Sequence, residues 1–228
     1  MNALTTPTLF AGALPGVETL HLPDATLRFQ HDFYTPDFCR EAMATLTDQT
    51  VWCHEQIVMF GKRLWQPRLV AAHGDPGTAY RYSGLTLPVH DWTPLLSSIK
   101  QTVEQVAGRQ FNSVLLNFYR DQHDSMGWHS DDESELGPSP VIASVSFGAT
   151  RAFRLKHKTR RDLRPMSLGL TDGSLLLMEG TTQQFWKHAV EKSRVVTGAR
   201  INLTFRQLLR NAPTRQHQRA PIPDEPVI

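Results

Sequence analysis

A pair of residues suited to binding a metal lies near the middle of the chain, where His129 and Asp131 are separated by one residue. Side chains at positions i and i+2 of a strand point to the same face, so the imidazole and the carboxylate would meet at one point. One further histidine would complete the two-His, one-carboxylate set that holds non-haem Fe(II) and leaves coordination positions open. A turn histidine bonded to a nearby carboxylate is the alternative for the pair alone.

The candidate third ligand is His188, in the predicted strand 185–190. Its neighbours along the chain are apolar or amphipathic, as expected for a side chain that points inward. A histidine that only completes the core is the alternative, because the chain contains 10 histidines to choose from.

The predicted last strand has one polar and one apolar face. Arg200, Asn202, Thr204 and Arg206 share the polar face, and the residues between them are apolar. Buried charge without a partner is costly, so two inward guanidinium groups would need an anionic ligand, such as a dicarboxylate bound through bidentate pairs. A solvated outer face of an edge strand is the alternative.

Asn117 and Tyr119 share one face of an earlier predicted strand, opposite to its apolar residues. They could supply an amide and a phenol to the same anionic ligand. A tyrosine hydroxyl that is bonded locally is the alternative.

The length and composition of the chain limit the kind of protein that positions these residues. With 228 residues, of which 40% are hydrophobic, the chain can bury the core of one domain with extensions. Its net charge of +2 means that any affinity for nucleic acid must come from local patches. Two cysteines make no disulfide framework, and the apolar runs are shorter than the roughly 20 residues of a spanning helix. We expect a cytoplasmic protein without a signal peptide.

The residue pattern predicts a mainly β fold of the α+β type, a double-stranded β-helix or jelly roll with flanking N-terminal helices. One helix follows the N-cap Thr35, and a second spans about residues 93–108. The predicted strands of the jelly-roll core, which begins at about residue 111, are 113–119, 126–131, 141–147, 151–157, 164–170, 174–179, 185–190 and 200–208. We expect an irregular segment at 1–23, a single domain at 24–210 and a mobile tail at 211–228.

Taken together, these motifs resemble the AlkB family of Fe(II)- and 2-oxoglutarate-dependent dioxygenases. The resemblance rests on Asn-x-Tyr from Asn117, His-x-Asp-x-Glu from His129, the late His188 and Arg-x-Asn-x-Thr-Phe-Arg from Arg200. It covers roughly residues 51–209 and is closest to the homologues that repair duplex DNA. Supporting segments lie at 59–62, 82–87 and 142–148.

The resemblance implies a role for each matching residue. It implies that His129, Asp131 and His188 are the catalytic residues that hold Fe(II). The positions matching the 2-oxoglutarate site are Asn117, Tyr119, Arg200, Asn202 and Arg206. Within the nucleotide-recognition elements of about 51–90, Phe60 matches a hydrophobic finger and Tyr82 an aromatic that stacks on the flipped base. Glu133 matches an acid that contacts the damaged base.

Each substrate residue also has a structural alternative. Phe60 could end a buried strand, Tyr82 could belong to the core, and Glu133 could be a surface acid. The seven cations between residues 151 and 164 could contact phosphates or form a solvated hairpin.

The implied activity is oxidative dealkylation of N-alkylated bases in DNA, with O2 and 2-oxoglutarate as co-substrates. The resemblance further implies a monomer that acts on duplex as well as single-stranded alkylated DNA, with the base flipped out of the duplex. The same chemistry on RNA or another substrate is one alternative. A non-catalytic jelly-roll binding module is another.

Overall fold

Two β-sheets packed face to face form the centre of the computed structural model, which describes residues 16–59, 62–78, 80–82 and 85–209. In chain order, the elements are β1 (Glu18–Leu22), β2 (Ala25–Gln30), α1 (Pro36–Gln49), β3 (Gln56–Met59), β4 (Lys62–Trp65), β5 (Leu69–Gly74), β6 (Tyr80–Tyr82), β7 (Leu85–Leu87), β8 (Val89–His90), α2 (Pro94–Ala107), β9 (Ser113–Tyr119), β10 (Met126–His129), β11 (Ile142–Gly148), β12 (Arg151–His157), β13 (Met166–Leu170), β14 (Leu175–Glu179), α3 (Thr182–Phe185), β15 (Trp186–Val190) and β16 (Arg200–Arg206). A short 3-10 helix, Ser134–Leu136, lies between β10 and β11.

The strands from β9 to β16 form the jelly roll that the sequence predicts. They are divided between two sheets, with the order β14-β11-β16-β9 in one and β10-β15-β12-β13 in the other. The first sheet continues through β2 and β1 beyond β14, and through β5 and β8 beyond β9, which makes it the larger one. The mainly β, double-stranded β-helix fold is therefore confirmed.

The larger sheet has helices on one face and the smaller sheet on the other. Ile201, Leu203 and Phe205 of β16 belong to the core cluster that also contains the buried faces of α1 and α2. The apolar residues between the sheets form a second cluster, which includes Phe153 and Trp186 of the smaller sheet. Alternation along β16 therefore directs its other residues into the space between the sheets.

Local capping signals set the limits of the two long helices. Thr35 Oγ1 accepts a hydrogen bond from the Phe38 N–H at 3.3 Å, and Thr93 Oγ1 accepts one from the Leu96 N–H at 3.2 Å. The second helix ends at Gly108, whose φ of 63° lies in the left-handed region. Such caps satisfy the backbone groups that a helix end leaves without partners. Both helices begin where the sequence predicts.

The expectation of an irregular segment at 1–23 is wrong for Glu18–Leu22, which forms β1 against β2. Pro23 and Asp24 connect the two strands. Asp24 has a φ of 61°, which aspartate tolerates because its short side chain can bond to nearby backbone. The proline thus marks a hairpin turn. Residues 1–15 and the predicted tail at 211–228 lie outside the described residues.

Several predicted strands are shorter than expected. The strand predicted at 126–131 ends at His129. The Ser130 hydroxyl then donates to the Trp186 carbonyl oxygen, and the Asp131 N–H donates to the side chain of Gln183, so neither residue continues the backbone ladder with β15. Before the jelly roll, Gln56–Met59 forms β3, which pairs with β4 in a separate hairpin. Within the described ranges, no helix is long and apolar enough to cross a membrane.

Candidate functional site

The candidate metal ligands and the polar face of β16 line one cavity between the two sheets. The smaller sheet carries the two histidines on β10 and β15, and the larger sheet contributes polar side chains from β9 and β16. The candidate residues that line the cavity are Asn117, Tyr119, His129, Asp131, His188, Arg200, Asn202, Thr204 and Arg206. The fold therefore brings together residues from motifs that are far apart in the sequence.

His129, Asp131 and His188 form a compact set of possible metal ligands, with one ligand atom of each within 4.8 Å of the others. The two histidines are opposite each other on β10 and β15, and their ring centroids are 4.2 Å apart. Asp131 lies beyond the end of β10, yet its Oδ1 is 3.8 Å from Nε2 of His129. The i, i+2 pair meets as predicted, although not through a continuous strand.

The two imidazoles are in the form that binds a metal. Nδ1 of His129 donates to the carbonyl oxygen of Gly127 at 2.9 Å, so Nε2 keeps its lone pair in the neutral ring. Burial lowers the pKa of His188 to about 3 and also lowers the pKa of His129. Both rings are therefore neutral at pH 7, which is the state required of a histidine ligand.

The Asp131 carboxylate is ionised and partly free. Burial alone would raise its pKa, but the nearby Arg206 guanidinium contributes to lowering it to about 2. Arg206 Nη2 donates to Oδ1 of Asp131 at 2.9 Å, and both side chains are buried. Oδ2 of Asp131 has no hydrogen-bond partner among the described residues. A charged oxygen with free lone pairs, beside two neutral imidazoles, fits a divalent cation.

The opposite end of the cavity suits an anion. Arg200 is 1% exposed, and its Nη2 donates to Oγ of Ser146 at 2.9 Å. Its guanidinium carbon lies 5.2 Å from the centroid of the Tyr119 ring. Nε and Nη1 of Arg200 have no hydrogen-bond partner within the described part of the chain, and burial lowers the pKa of the guanidinium to about 10. A buried cation with unused donors fits a carboxylate ligand.

Two asparagines of the cavity are held by hydrogen bonds within the protein. Nε of Arg68 donates to Oδ1 of Asn117 at 2.7 Å. Nδ2 of Asn202 donates to Oγ of Ser144 at 2.7 Å and to the carbonyl oxygen of Val145 at 2.9 Å. Both amides are thus oriented by hydrogen bonds, that of Asn117 by Arg68 and that of Asn202 by β11. Arg68 itself is buried and lies directly before β5, behind Asn117.

Glu133, the acid expected to contact the base, is half-buried rather than a fully exposed surface acid. Burial raises the pKa of its carboxyl, and the charge of Asp131 raises it further. Oε2 of Glu133 has no hydrogen-bond partner among the residues that the structure describes. The carboxyl group is therefore available to a polar or cationic ligand.

The other two residues expected to contact substrate cannot be placed in the same way. Phe60 lies outside the described residues, between β3 and β4. Tyr82 is the last residue of β6 and pairs with Leu85 of β7, but its side chain is also outside what the structure describes.

The basic stretch 151–164 is less available to phosphates than its sequence indicated. Arg151 is buried, and its guanidinium donates to the carbonyl oxygens of Asp121, Asp124 and Glu191. It therefore ties loops together inside the protein, which corrects its assignment to a surface patch. Three more of these cations form ion pairs, namely Arg154 with Glu191, Lys158 with Asp132 and Arg160 with Asp162.

Sequence reasoning did not assign Gln183 and Arg68 to the site. The side chain of Gln183 accepts a hydrogen bond from the Asp131 N–H at 2.9 Å, and Arg68 bonds to Asn117. The partners are 52 and 49 residues apart in the sequence, respectively. No local pattern could have revealed contacts over such separations.

Comparison with known proteins agrees with this geometry. Residues 26–206 match the model of the family described as the 2OG-Fe(II) oxygenase superfamily. A solved structure described as "The structure of OsALKBH1" resembles this fold with a TM-score of 0.54 at 16% identity, over 83% of this chain and 100% of that chain.

Curated relatives are more similar in sequence. The "DNA oxidative demethylase ALKBH2" of Mus musculus is 44% identical over 160 residues, which are 68% of this chain and 67% of that protein. The "Alpha-ketoglutarate-dependent dioxygenase alkB homolog 3" of Rattus norvegicus is 46% identical over 149 residues, which are 62% of this chain and 50% of that protein. The aligned stretches thus span about half to two thirds of these relatives.

Proposed function

We propose that this chain, which belongs to the 2OG-Fe(II) oxygenase superfamily, removes alkyl groups from nitrogen atoms of DNA bases by oxidation. As a member of that superfamily it is a 2-oxoglutarate-dependent dioxygenase that uses Fe(II), 2-oxoglutarate and O2. The observation that carries the choice of substrate is its similarity, over more than 60% of its length, to relatives named as DNA oxidative demethylases.

His129, Asp131 and His188 are the residues that would hold the iron. When bound, Fe(II) would allow O2 to oxidise 2-oxoglutarate to succinate and CO2 and to hydroxylate the alkyl carbon on the base nitrogen. The hydroxylated carbon then leaves as an aldehyde, and the unmodified base remains. The protein prepares the ligands before the ion arrives, because the histidines are neutral and the aspartate is ionised. Arg206 keeps one carboxylate oxygen of Asp131 in a fixed direction.

Arg200 is the residue best suited to bind a carboxylate of 2-oxoglutarate, together with the neighbouring phenol of Tyr119. Its unused N–H donors lie in a buried place, where a charge-assisted hydrogen bond is stronger than in water. Asn117, Asn202 and Arg206 complete the polar wall around the co-substrate. Hydrogen bonds within the protein already orient the two asparagine side chains, so little ordering would be needed when 2-oxoglutarate binds.

Glu133 would recognise the base. It lies two residues after Asp131, and its free carboxyl oxygen can accept from an exocyclic amino group or pair with a positively charged alkylated base. A base inside a duplex cannot reach a cavity between two sheets, so it has to be flipped out or unpaired. Tyr82 would stack on the flipped base.

The exposed hairpin of β3 and β4 supports the proposal of action on duplex as well as single-stranded DNA. Lys62–Trp65 is exposed along its whole length, so the hairpin is accessible to a large partner. Phe60, which lies between the two strands, would fill the space that the base leaves. Action by a monomer in the cytoplasm stays a prediction.

The experiment is a comparison of methylated oligonucleotides as substrates for the full chain with Fe(II), 2-oxoglutarate and O2. Mass spectrometry should show loss of the methyl group from single- and double-stranded DNA methylated at a base nitrogen. Loss from RNA alone would move the activity to RNA. Binding of every oligonucleotide without loss of methyl from any of them would favour the non-catalytic module.

A further inference from the structure

Asp131 lies outside the regular strand, so strand pairing does not hold it in place. β10 ends at His129, and the Asp131 N–H donates to Oε1 of Gln183 at 2.9 Å. Both residues are 1% exposed. We propose that Gln183, which belongs to α3, is a positioning residue that holds Asp131 for metal binding. The inference rests on the proposed metal site but is independent of the DNA substrate.

The surroundings of Gln183 indicate that packing alone does not explain it. Its Nε2 donates to Sδ of Met178 at 3.3 Å, and a thioether is a weak acceptor. A buried amide whose N–H groups are so weakly bonded is unfavourable for the folded state, and an apolar side chain would be better at filling the space. The bond from Oε1 to Asp131 accounts for a polar residue here.

The neighbouring residues of the loop are bonded to the same segment. Ser130 Oγ donates to the carbonyl oxygen of Trp186 at 2.9 Å. Lys158 Nζ donates to Oδ2 of Asp132 at 2.8 Å and to the carbonyl oxygen of Gln183 at 2.9 Å. Three successive loop residues are therefore tied to residues 183–186. The bond to Asp131 is the buried one, and a side chain makes it.

The anchor is itself hydrogen-bonded to the larger sheet. Oγ1 of Thr182 accepts from the Thr26 N–H at 3.2 Å, which joins α3 to β2 at the edge of the jelly roll. Gln183 follows directly, and five residues later in the chain comes His188. The segment formed by α3 and β15 thus supports Asp131 through a hydrogen bond and carries His188 itself. This arrangement links the position of Asp131 to that of His188.

Removal of the Gln183 acceptor would leave the buried Asp131 N–H without a partner. The loop would turn to satisfy that N–H, and the carboxylate would leave its place between Arg206 and the two histidines. Removing a group that orients a metal ligand typically weakens metal binding about 10- to 100-fold. Gln183→Met keeps nearly the same length and removes the acceptor. Gln183→Asn keeps the amide but is one methylene too short to reach.

The test measures Mn(II) binding by the metal-free full chain, without DNA, using calorimetry and the electron paramagnetic resonance of free Mn(II). We expect both Gln183 variants to bind Mn(II) about 10- to 100-fold more weakly than the unaltered chain. The matched control is Gln184→Met, because Gln184 is the exposed neighbour and bonds to Pro138 and Ser139. It should bind Mn(II) normally.

Melting temperatures separate positioning from a structural role. If Gln183→Met is unfolded at the assay temperature, Gln183→Asn decides the question. Mn(II) affinity within about twofold of the unaltered chain in a folded Gln183 variant would overturn the inference, whatever happens to its melting temperature. No Mn(II) binding by the unaltered chain would overturn it as well. Intact Mn(II) binding without DNA dealkylation would refute the proposed function and leave the role of Gln183 standing.

Discussion

For the single residue Arg200, a role in ligand binding can be distinguished from a role in stability. Its guanidinium is buried, and this burial lowers its pKa to about 10 because the charged form loses contact with water. Replacing buried charge with an apolar residue of similar size is neutral or stabilising in several proteins. A buried guanidinium at this position is therefore best explained by an anionic ligand that binds to it.

We therefore expect Arg200→Met to bind 2-oxoglutarate more weakly without lowering the melting temperature of the metal-free protein. A lost charge-assisted hydrogen bond costs about 1.5–3 kcal/mol, or roughly 10- to 150-fold in affinity. Calorimetry with the Mn(II)-loaded protein and thermal melting give the two quantities. Arg154→Met, which removes a half-exposed cation, is the control. Normal 2-oxoglutarate binding by Arg200→Met would show that the co-substrate binds elsewhere.

A second residue predicts how stability depends on pH. Burial lowers the pKa of His73, although its Nδ1 donates to the carbonyl oxygen of Asp91 at 2.7 Å. The His90 ring, with its centroid 5.5 Å away, also lowers this pKa. Below about pH 6.5 the unfolded chain binds a proton at His73 that the folded chain does not. The free energy of unfolding therefore decreases as the pH is lowered from about 6.5 to the pKa of His73 in the folded state.

His73→Phe removes this contribution. At about pH 7.5 the variant should be less stable by about 1 kcal/mol, because the bond to Asp91 is lost. As the pH falls below about 6.5, the unaltered chain should progressively lose this advantage, so the melting temperatures of the two proteins converge. Melting temperatures of both proteins across this range provide the test. A constant difference at every pH would mean that His73 takes up its proton equally in both states.

At the scale of elements, the hairpin of β3 and β4 is the part expected to distinguish duplex from single-stranded DNA. If Phe60 fills the space left by a flipped base, Phe60→Ala should impair repair of a methylated duplex about tenfold or more, because unstacking costs a few kcal/mol. Repair of the same base in a single strand should change much less. Initial rates on both substrates, together with the melting temperature, measure this effect.

The control for the hairpin is Val51→Ala, which shortens an exposed apolar residue outside β3 and β4. It should leave both rates close to those of the unaltered chain. An equal loss on the two substrates in Phe60→Ala, with a lower melting temperature, would contradict the wedge and return Phe60 to the core.

The elements that could be predicted from sequence are those with local signals. Thr35 caps α1 and Gly108 ends α2 because the stabilising contacts lie within one turn of the chain. β1 has no such signal, because its pairing with β2 depends on Asp24, which turns the chain in a left-handed conformation. The end of β10 could not be predicted, because a distant glutamine sets the path after His129.

At the scale of the whole molecule, the site is a product of the two-sheet arrangement. The residue types at His129, Asp131, His188 and along β16 already indicated the chemistry, and alternation placed the polar face of β16 inside. The supporting contacts could not be read in the same way. Arg151 looked like a surface cation until the fold brought three loop carbonyl oxygens to it, because burial depends on partners that are remote in sequence.

We expect the cavity between the sheets to catalyse oxidative dealkylation of DNA. The most direct measurement follows one oligonucleotide methylated at a base nitrogen, with succinate, formaldehyde and unmodified base quantified in the same reaction. We predict that base is restored in step with formaldehyde, that both need Fe(II) and 2-oxoglutarate, and that His188→Ala abolishes all three products. Restoration of the base that persists in His188→Ala, or succinate formation with no restored base on any methylated DNA, would contradict the account.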